Sequence, residues 1–238
     1  MNRTPDAFDS ALTTALSRWA LPIEPGQLDK LRAHFEAVIE TNRTMNLTRI
    51  TEPVASAVKH YADSLAPLLW IRERKIAVQT VLDVGTGAGF PAVPLAVMRP
   101  DWSVSAIDAT GKKIEFLRRT AAALGLTNLC CEHAHSQHWK PGRSFQLVVL
   151  RALTCLPDAL EQTARHVAQD GWLAAYKSAA VDRQEQDTAV ALAPKLGLCS
   201  QKCYAYQLEL GNEKLDRILN IYRRSPCEPS KKPVGRAF

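Results

Sequence analysis

The sequence predicts an α/β fold: a doubly wound, Rossmann-like sheet of seven mostly parallel strands with helices on both faces, a C-terminal antiparallel hairpin and an N-terminal helical extension. Three observations predict it. From Gln79 onward, short β-branched runs alternate with stretches of helical period, the pattern of repeated βαβ units. The last two apolar runs are joined only by Gly211-Asn212-Glu213-Lys214, so they pair as a hairpin. The run VLDVGTGAGFP (81–91) sets glycines at 85, 87 and 89 directly after the first apolar run, where open parallel sheets bind ligands.

The extension covers residues 1–76. Ala7 to Leu16 and Gln27 to Glu40 carry apolar residues near helical spacing, and Pro22 and Pro25-Gly26 separate the two helices. The stretch NRTMNLT (42–48) breaks the pattern, and a further helix starts after Pro53, carrying His60, Asp63 and Leu65. The sheet domain covers 77–225. Its strands are Thr80 to Val84, Ser103 to Asp108, Asn128 to Glu132, Phe145 to Leu150, Trp172 to Tyr176, Lys202 to Leu210 and Arg217 to Tyr222. Helices fall between them at Pro91 to Met98, Lys112 to Leu124, Leu156 to Ala168 and Asp182 to Leu196. Residues 226–238, with three lysines and arginines among prolines, read as a basic disordered tail.

Apolar residues make up 46% and charged residues 23% of the 238, which excludes disordered and collagen-like classes. No apolar stretch is long enough for a membrane span and the start lacks a signal-peptide core, so a cytoplasmic protein without membrane attachment is expected. The six cysteines form no C-x-x-C pair and have no histidine partner at zinc spacing. They predict neither a metal site nor disulfides, and read as small buried hydrophobes, with Cys227 an exposed thiol. A net charge of +6 points to a polyanionic partner or to a merely basic surface. The oligomeric state is left open, with a monomer as the default.

The glycine spacing narrows the ligand. A dinucleotide turn needs G-x-G-x-x-G, but position 90 is Phe, and no P-loop pattern occurs. What remains is a ligand that meets the loop through its body, with no pyrophosphate to neutralise. Asp108, at the end of the second strand, can accept hydrogen bonds from ribose hydroxyls, or can instead cap the helix at 111. An adenosine ligand without pyrophosphate suits both features, and S-adenosylmethionine is the common cofactor of that kind.

DVGTGAGFPAVPLA (83–96) resembles the cofactor motif of the ribosomal small-subunit methyltransferase G family, also called glucose-inhibited division protein B. NLT (46–48), HYADS (60–64), IDATGKK (107–113), FLR (116–118) and Arg151-Ala152 follow the family's order, so the resemblance spans about residues 28 to 180. It implies a class I methyltransferase that uses S-adenosylmethionine to methylate guanosine N7 in bacterial 16S ribosomal RNA, free or in the small subunit. By carry-over, Gly85, Phe90, Ser136, Gln137 and Arg151 contact the cofactor; Gly87 and Asp108 join them from their positions. Three positions depart from the family pattern: Gln137 and Gln146 where acids are usual, and Lys177-Ser178 in place of Lys-Gly.

Guanine N7 bears a lone pair and no proton, so no general base is needed, and the absence of a Ser/His/Asp or Cys/His pattern agrees. Arg151, His60 and Asp63 are cleft candidates; the last two share a helix face and also read as a surface pair. Asn46 and Thr48 suit either a turn or the substrate. Asn46, Lys112, Lys113, Arg118 and Lys177 are candidate RNA contacts, with Arg43, Arg49, Lys59 and Arg119 able to extend a basic face. The alternatives are a methyltransferase of another RNA, a Rossmann-like oxidoreductase and a non-catalytic RNA-binding assembly factor. The glycine register weighs against the oxidoreductase, and the presence of Gly85, Asp108 and Arg151 against the assembly factor.

Overall fold

A computed structural model describes residues 7–225, so the expected tail at 226–238 and Cys227 lie outside the described residues. The chain starts with α1 (Ala7–Arg18) and α2 (Pro25–Asn42), the latter opened by a capping box between Glu24 and Gln27. Next comes α3 (Pro53–Ser56), capped by the Glu52 carboxylate, which runs into a π-helical stretch, Ala57–Ala62, and then α4 (Ala66–Arg74). The sheet region is built from β1 (Thr80–Val84), α5 (Ala92–Met98), β2 (Ser103–Asp108), α6 (Gly111–Ala123), β3 (Leu129–His133), β4 (Phe145–Arg151), α7 (Leu156–Thr163), β5 (Val167–Ser178) and α8 (Arg183–Leu192). Three strands, β6 (Cys199–Ser200), β7 (Tyr204–Leu210) and β8 (Glu213–Arg223), close it.

The sheet order is β3-β2-β1-β4-β5-β8-β6, with β7 also on β8. β1 to β5 are parallel, β8 runs antiparallel to β5, and β7–β8 form the expected hairpin. The count is eight rather than seven, because two residues at 199–200 pair with the far end of β8. The helix expected over 156–168 stops at Thr163, and β5 begins at Val167 instead of Trp172.

Alternation along each strand divides the core in two. Val81, Val104, Leu147 and Val149 face α5, α6 and the helices of residues 7–74 in one cluster; Leu82, Val84, Val148 and Leu150 face α7 and α8 in the other. Phe8, Leu12, Leu16 and Leu31 belong to the same cluster as the sheet, so the N-terminal helices share its core. The cysteines differ from expectation: of the five described, only Cys131 is buried, while Cys130, Cys155 and Cys203 are exposed at strand and helix edges.

The order reverses between β1 and β4, whose carboxyl ends lie side by side with Val84 opposite Leu150. That switch point is where an open α/β sheet presents a crevice.

Candidate functional site

The turn after β1 forms one wall of the crevice. Gly85, Gly87 and Gly89 all have positive φ, at 74°, 58° and 101°, a region costly for residues with a Cβ. Their surroundings differ. A Cβ on Gly87 would meet nothing within 4 Å, whereas one on Gly89 would lie 2.8 Å from Leu117 and Val93 and 3.2 Å from His34 Nε2. Gly89 is therefore glycine because protein packs on it, whereas Gly87 faces open space. Gly85 is limited from the α7 side by Leu153, at 2.6 Å from a Cβ there.

Asp108, 8% exposed, accepts the Gly87 N–H at 2.9 Å on one carboxylate oxygen and the Thr110 N–H at 2.8 Å on the other. Each oxygen keeps a lone pair for a further donor. Asp83 lies beneath the turn, fully buried, with one oxygen on the Ala92 N–H at 3.1 Å and the other without a hydrogen-bond partner among the described residues. Burial raises its pKa to about 7, against the opposing pull of the Thr86 hydroxyl and the Ala92 N–H. Thr86 itself is 1% exposed and its oxygen has no partner within hydrogen-bond geometry.

Beyond β3, the Ala134 N–H bonds the Asp108 carbonyl at 3.1 Å, which carries the turn holding Ser136 and Gln137 to the same crevice. Ser136 is buried and Gln137 exposed.

The opposite wall is built on Arg151, the last residue of β4. Its Nε pairs with Asp63 at 3.1 Å, Nη1 donates to the His60 carbonyl and the Ser64 hydroxyl, and Nη2 donates to the Lys59 carbonyl and His60 Nδ1. The π-helical stretch supplies most of these acceptors. Tyr206 from β7 donates to the second Asp63 oxygen at 2.8 Å, and Tyr176 from β5 to the Ser64 carbonyl. His60 and Asp63 are thus parts of a buried network, and the alternative of a surface pair is excluded.

Proton positions follow from the partners. Arginine only donates, so His60 Nδ1 is bare and Nε2 carries the hydrogen toward Thr48 Oγ1 at 2.7 Å. Burial first, then the Arg151 charge, lowers the His60 pKa to about 3. His34 behaves alike: its Nε2–H donates to the Ala88 carbonyl at 2.9 Å and Tyr61 donates to Nδ1 at 2.8 Å, with burial lowering the pKa to about 4. Phe90 joins both systems, stacked on His60 at 4.7 Å and edge-on to Tyr61 at 5.0 Å. Its side chain, like that of Arg151, ties the crevice to the N-terminal helices.

The remaining predicted residues separate. Lys177, at the end of β5, bonds Glu185 at 2.8 Å and the Thr154 carbonyl at 2.9 Å. Arg118 donates to the Cys131 carbonyl, Lys112 is exposed and Lys113 half-buried on the first turn of α6. Asn46 is exposed and makes no side-chain hydrogen bond among the described residues; Asn42 orders that turn instead, accepting the Leu47 and Thr48 N–H groups. Thr48 accepts the Ile50 N–H and serves His60, the turn role among its two readings. Gln146 stands at the far, amino-terminal end of β4, where its amide oxygen accepts the Gln79 and Thr80 N–H groups. An amide oxygen fills the acceptor role of a carboxylate there, and the departure does not touch the crevice.

Arg217 was missed. It lies on β8 opposite Ser178 and lines a cavity of about 310 Å³ with Lys59, Asp63, Arg151, Tyr176 and Lys177. It is half-buried and, alone among these cations, has no hydrogen-bond or ion-pair partner among the described residues. A lone arginine in a strand of mixed character carries no sequence signal; only its placement shows it. No group of metal-ligating side chains and no helix able to cross a membrane occurs among the described residues.

The family model described as rRNA small subunit methyltransferase G matches residues 27–206. Among curated relatives, the "Ribosomal RNA small subunit methyltransferase G" of Bordetella pertussis is 36% identical, covering 74% of this chain and 78% of its own length. That of Lactococcus lactis subsp. lactis is 31% identical over 97% and 99%. Of solved structures, the YcgJ protein of Bacillus subtilis superposes with a TM-score of 0.52 at 16% identity, covering 68% of this chain and 98% of that one. A ribosomal protein L11 methylase from Lactobacillus delbrueckii gives 0.50 at 18%, covering 70% and 79%. At these identities the structures speak for the fold alone.

Proposed function

The chain belongs to the rRNA small subunit methyltransferase G family, and on that premise we propose that it methylates guanosine N7 in 16S ribosomal RNA, with S-adenosylmethionine as donor. The observation that carries the reading is the pairing of two walls at the β1/β4 switch point: a glycine turn open at Gly87 and a cation-lined cavity beside it.

The residues present fit the donor. Gly87 leaves bare backbone and Asp108 keeps acceptor capacity for a ribose. Gly85, Gly87, Asp108, Ser136 and Gln137 would hold it, and Phe90 and Arg151 would hold the walls in place. When bound, S-adenosylmethionine supplies an electrophilic methyl group on a sulfonium.

The chain's own task is then alignment of the base, for which well-oriented groups can replace acid–base chemistry. His60 suits this: with Nδ1 taken by Arg151 and Nε2–H by Thr48, it has no free lone pair to take a proton. Asp63 is likewise occupied by Arg151 and Tyr206. An acceptor nitrogen without a proton asks for no base, and this cluster provides none. Arg217, without a partner among the described residues, is placed in this cavity for the backbone of the RNA, whereas Lys59 is paired with Glu213 and Lys177 with Glu185.

Calorimetric titration with S-adenosylhomocysteine tests the donor site, and absence of binding sinks the reading. For the substrate, small subunits from a strain lacking this protein are treated with borohydride and aniline and read by primer extension. Loss of one N7-methylguanosine stop is expected, restored by adding protein and donor. An unchanged pattern would remove this substrate while leaving the enzyme class standing.

A further inference from the structure

Arg165 and His166 stand at the junction of α7 and β5, about thirty residues after the Ser136–Gln137 turn, yet both close on it. Arg165 Nη2 donates to the Ser136 carbonyl at 2.5 Å and to the Trp139 carbonyl at 3.1 Å, and His166 Nε2 lies 3.0 Å from the same Ser136 oxygen. A carbonyl can only accept, so His166 Nε2 carries the hydrogen, and its 3.5 Å approach to Arg165 Nε is not a bond. Burial lowers the His166 pKa, which keeps the ring neutral in this single-donor form. Trp139 locks the turn from behind: its indole N–H donates to Glu132 at 3.0 Å and its ring packs on Phe145 and His166.

Two donors on one carbonyl fix the orientation of a peptide plane. In a trans peptide the following N–H points opposite to the carbonyl. With the Ser136 oxygen drawn toward Arg165 and His166, the Gln137 N–H is directed away from them, and it has no acceptor among the described residues. The turn follows β3 and is tied to the end of β2 through the Asp108 carbonyl, at the carboxyl-terminal edge of the sheet where the crevice lies.

We propose that Arg165 and His166 are positioning residues for the purine of the cofactor. By holding the Ser136 carbonyl they aim the Gln137 main-chain N–H at an acceptor nitrogen on the ring edge. The inference rests on the S-adenosylmethionine reading. It explains why an amide at position 137 suffices: the discriminating group is the main chain, and the side chain stays exposed.

The test compares S-adenosylhomocysteine with S-inosylhomocysteine, whose ring nitrogen carries a hydrogen and cannot accept. Titration calorimetry is run on the wild-type protein and on Arg165→Met, an exposed position, and His166→Gln, which keeps a side-chain donor. In Arg165→Met, S-adenosylhomocysteine binding is expected to weaken about tenfold, the scale of one lost oriented hydrogen bond, with inosyl binding changing less than about threefold. The preference therefore narrows, while His166→Gln stays within about threefold of wild type. Equal weakening for both ligands, or no weakening in Arg165→Met, overturns the proposal. If the wild-type protein fails to bind S-adenosylhomocysteine at all, the donor reading falls first and this one with it.

Discussion

The two walls of the crevice are made in opposite ways. The glycine turn is a local device: residues 83–92 create its conformation, and most of its bonds join neighbours in the chain or the next strand. The Arg151 wall is a long-range device, in which one guanidinium bonds residues 59–64, some ninety positions earlier, and a tyrosine from β7 completes the Asp63 carboxylate. The first wall leaves polar groups unfilled and the second leaves almost none. A surface prepared for a ligand keeps unsatisfied donors and acceptors, and a surface that holds the fold together consumes them.

This contrast can be broken at either side. The largest expected effect is at the filled wall. Arg151→Met leaves the Asp63 carboxylate buried with only Tyr206, and removal of one partner from a buried pair costs about 3–5 kcal/mol. Urea unfolding should show that loss, and Arg151→Lys should not restore it, because an ammonium cannot span five acceptors. A midpoint unchanged from wild type would mean that the network is incidental.

Asp83 probes the floor of the open wall through pH. Its folded pKa of about 7 lies above the ordinary carboxylate value of 3.8, so its contribution is fully present below that ordinary value and is lost as pH rises through 7. Asp83→Asn keeps an acceptor for the Ala92 N–H and removes the titration. Relative to wild type it should gain stability at pH 8, on the order of 4 kcal/mol at most, and gain nothing near pH 3. Parallel pH–stability curves for the two proteins would refute the assignment.

Gly87→Ala inverts the first experiment. The methyl group meets open space but the positive φ remains, so stability should fall by only about 1 kcal/mol, while binding of S-adenosylhomocysteine weakens at least about tenfold. A fold that tolerates the change with unaltered binding would show that the turn is not the ligand wall. The smallest effect belongs to Gln146→Glu, remote from both walls. It retains the acceptor for two N–H groups and should shift stability within about 0.5 kcal/mol with no change in ligand binding.

Much of this was legible in the residues themselves. The bounds of β1 and β2 agree with the structure to the residue, because β-branched runs ending at a glycine or an acid mark both ends. The hairpin also follows, although β8 is longer than its apolar stretch, since pairing with β7 extends it back through Asp216, Lys214 and Glu213. At the site, the glycine turn and Asp108 could be read from spacing. The different reasons for Gly85, Gly87 and Gly89 could not, because Leu153, Val93, Leu117 and His34 reach them from other elements. The charged residues show the same limit. Lys177 and Arg217 are equivalent cations on paper, and only the approach of Glu185 to one and the isolation of the other separates them.

By itself, the sequence determined the repeated βαβ order, the place of the glycine turn and the family, all of which are written in consecutive residues whose backbone preferences are local. The tertiary structure alone decided which side chains are occupied and which are free: Arg151 and His60 spent on the walls, Asp108 and the Gln137 N–H left available, Arg217 unpaired in the cavity. The physical reason is that hydrogen-bond satisfaction and burial depend on partners brought together by folding, and no spacing within one segment records them.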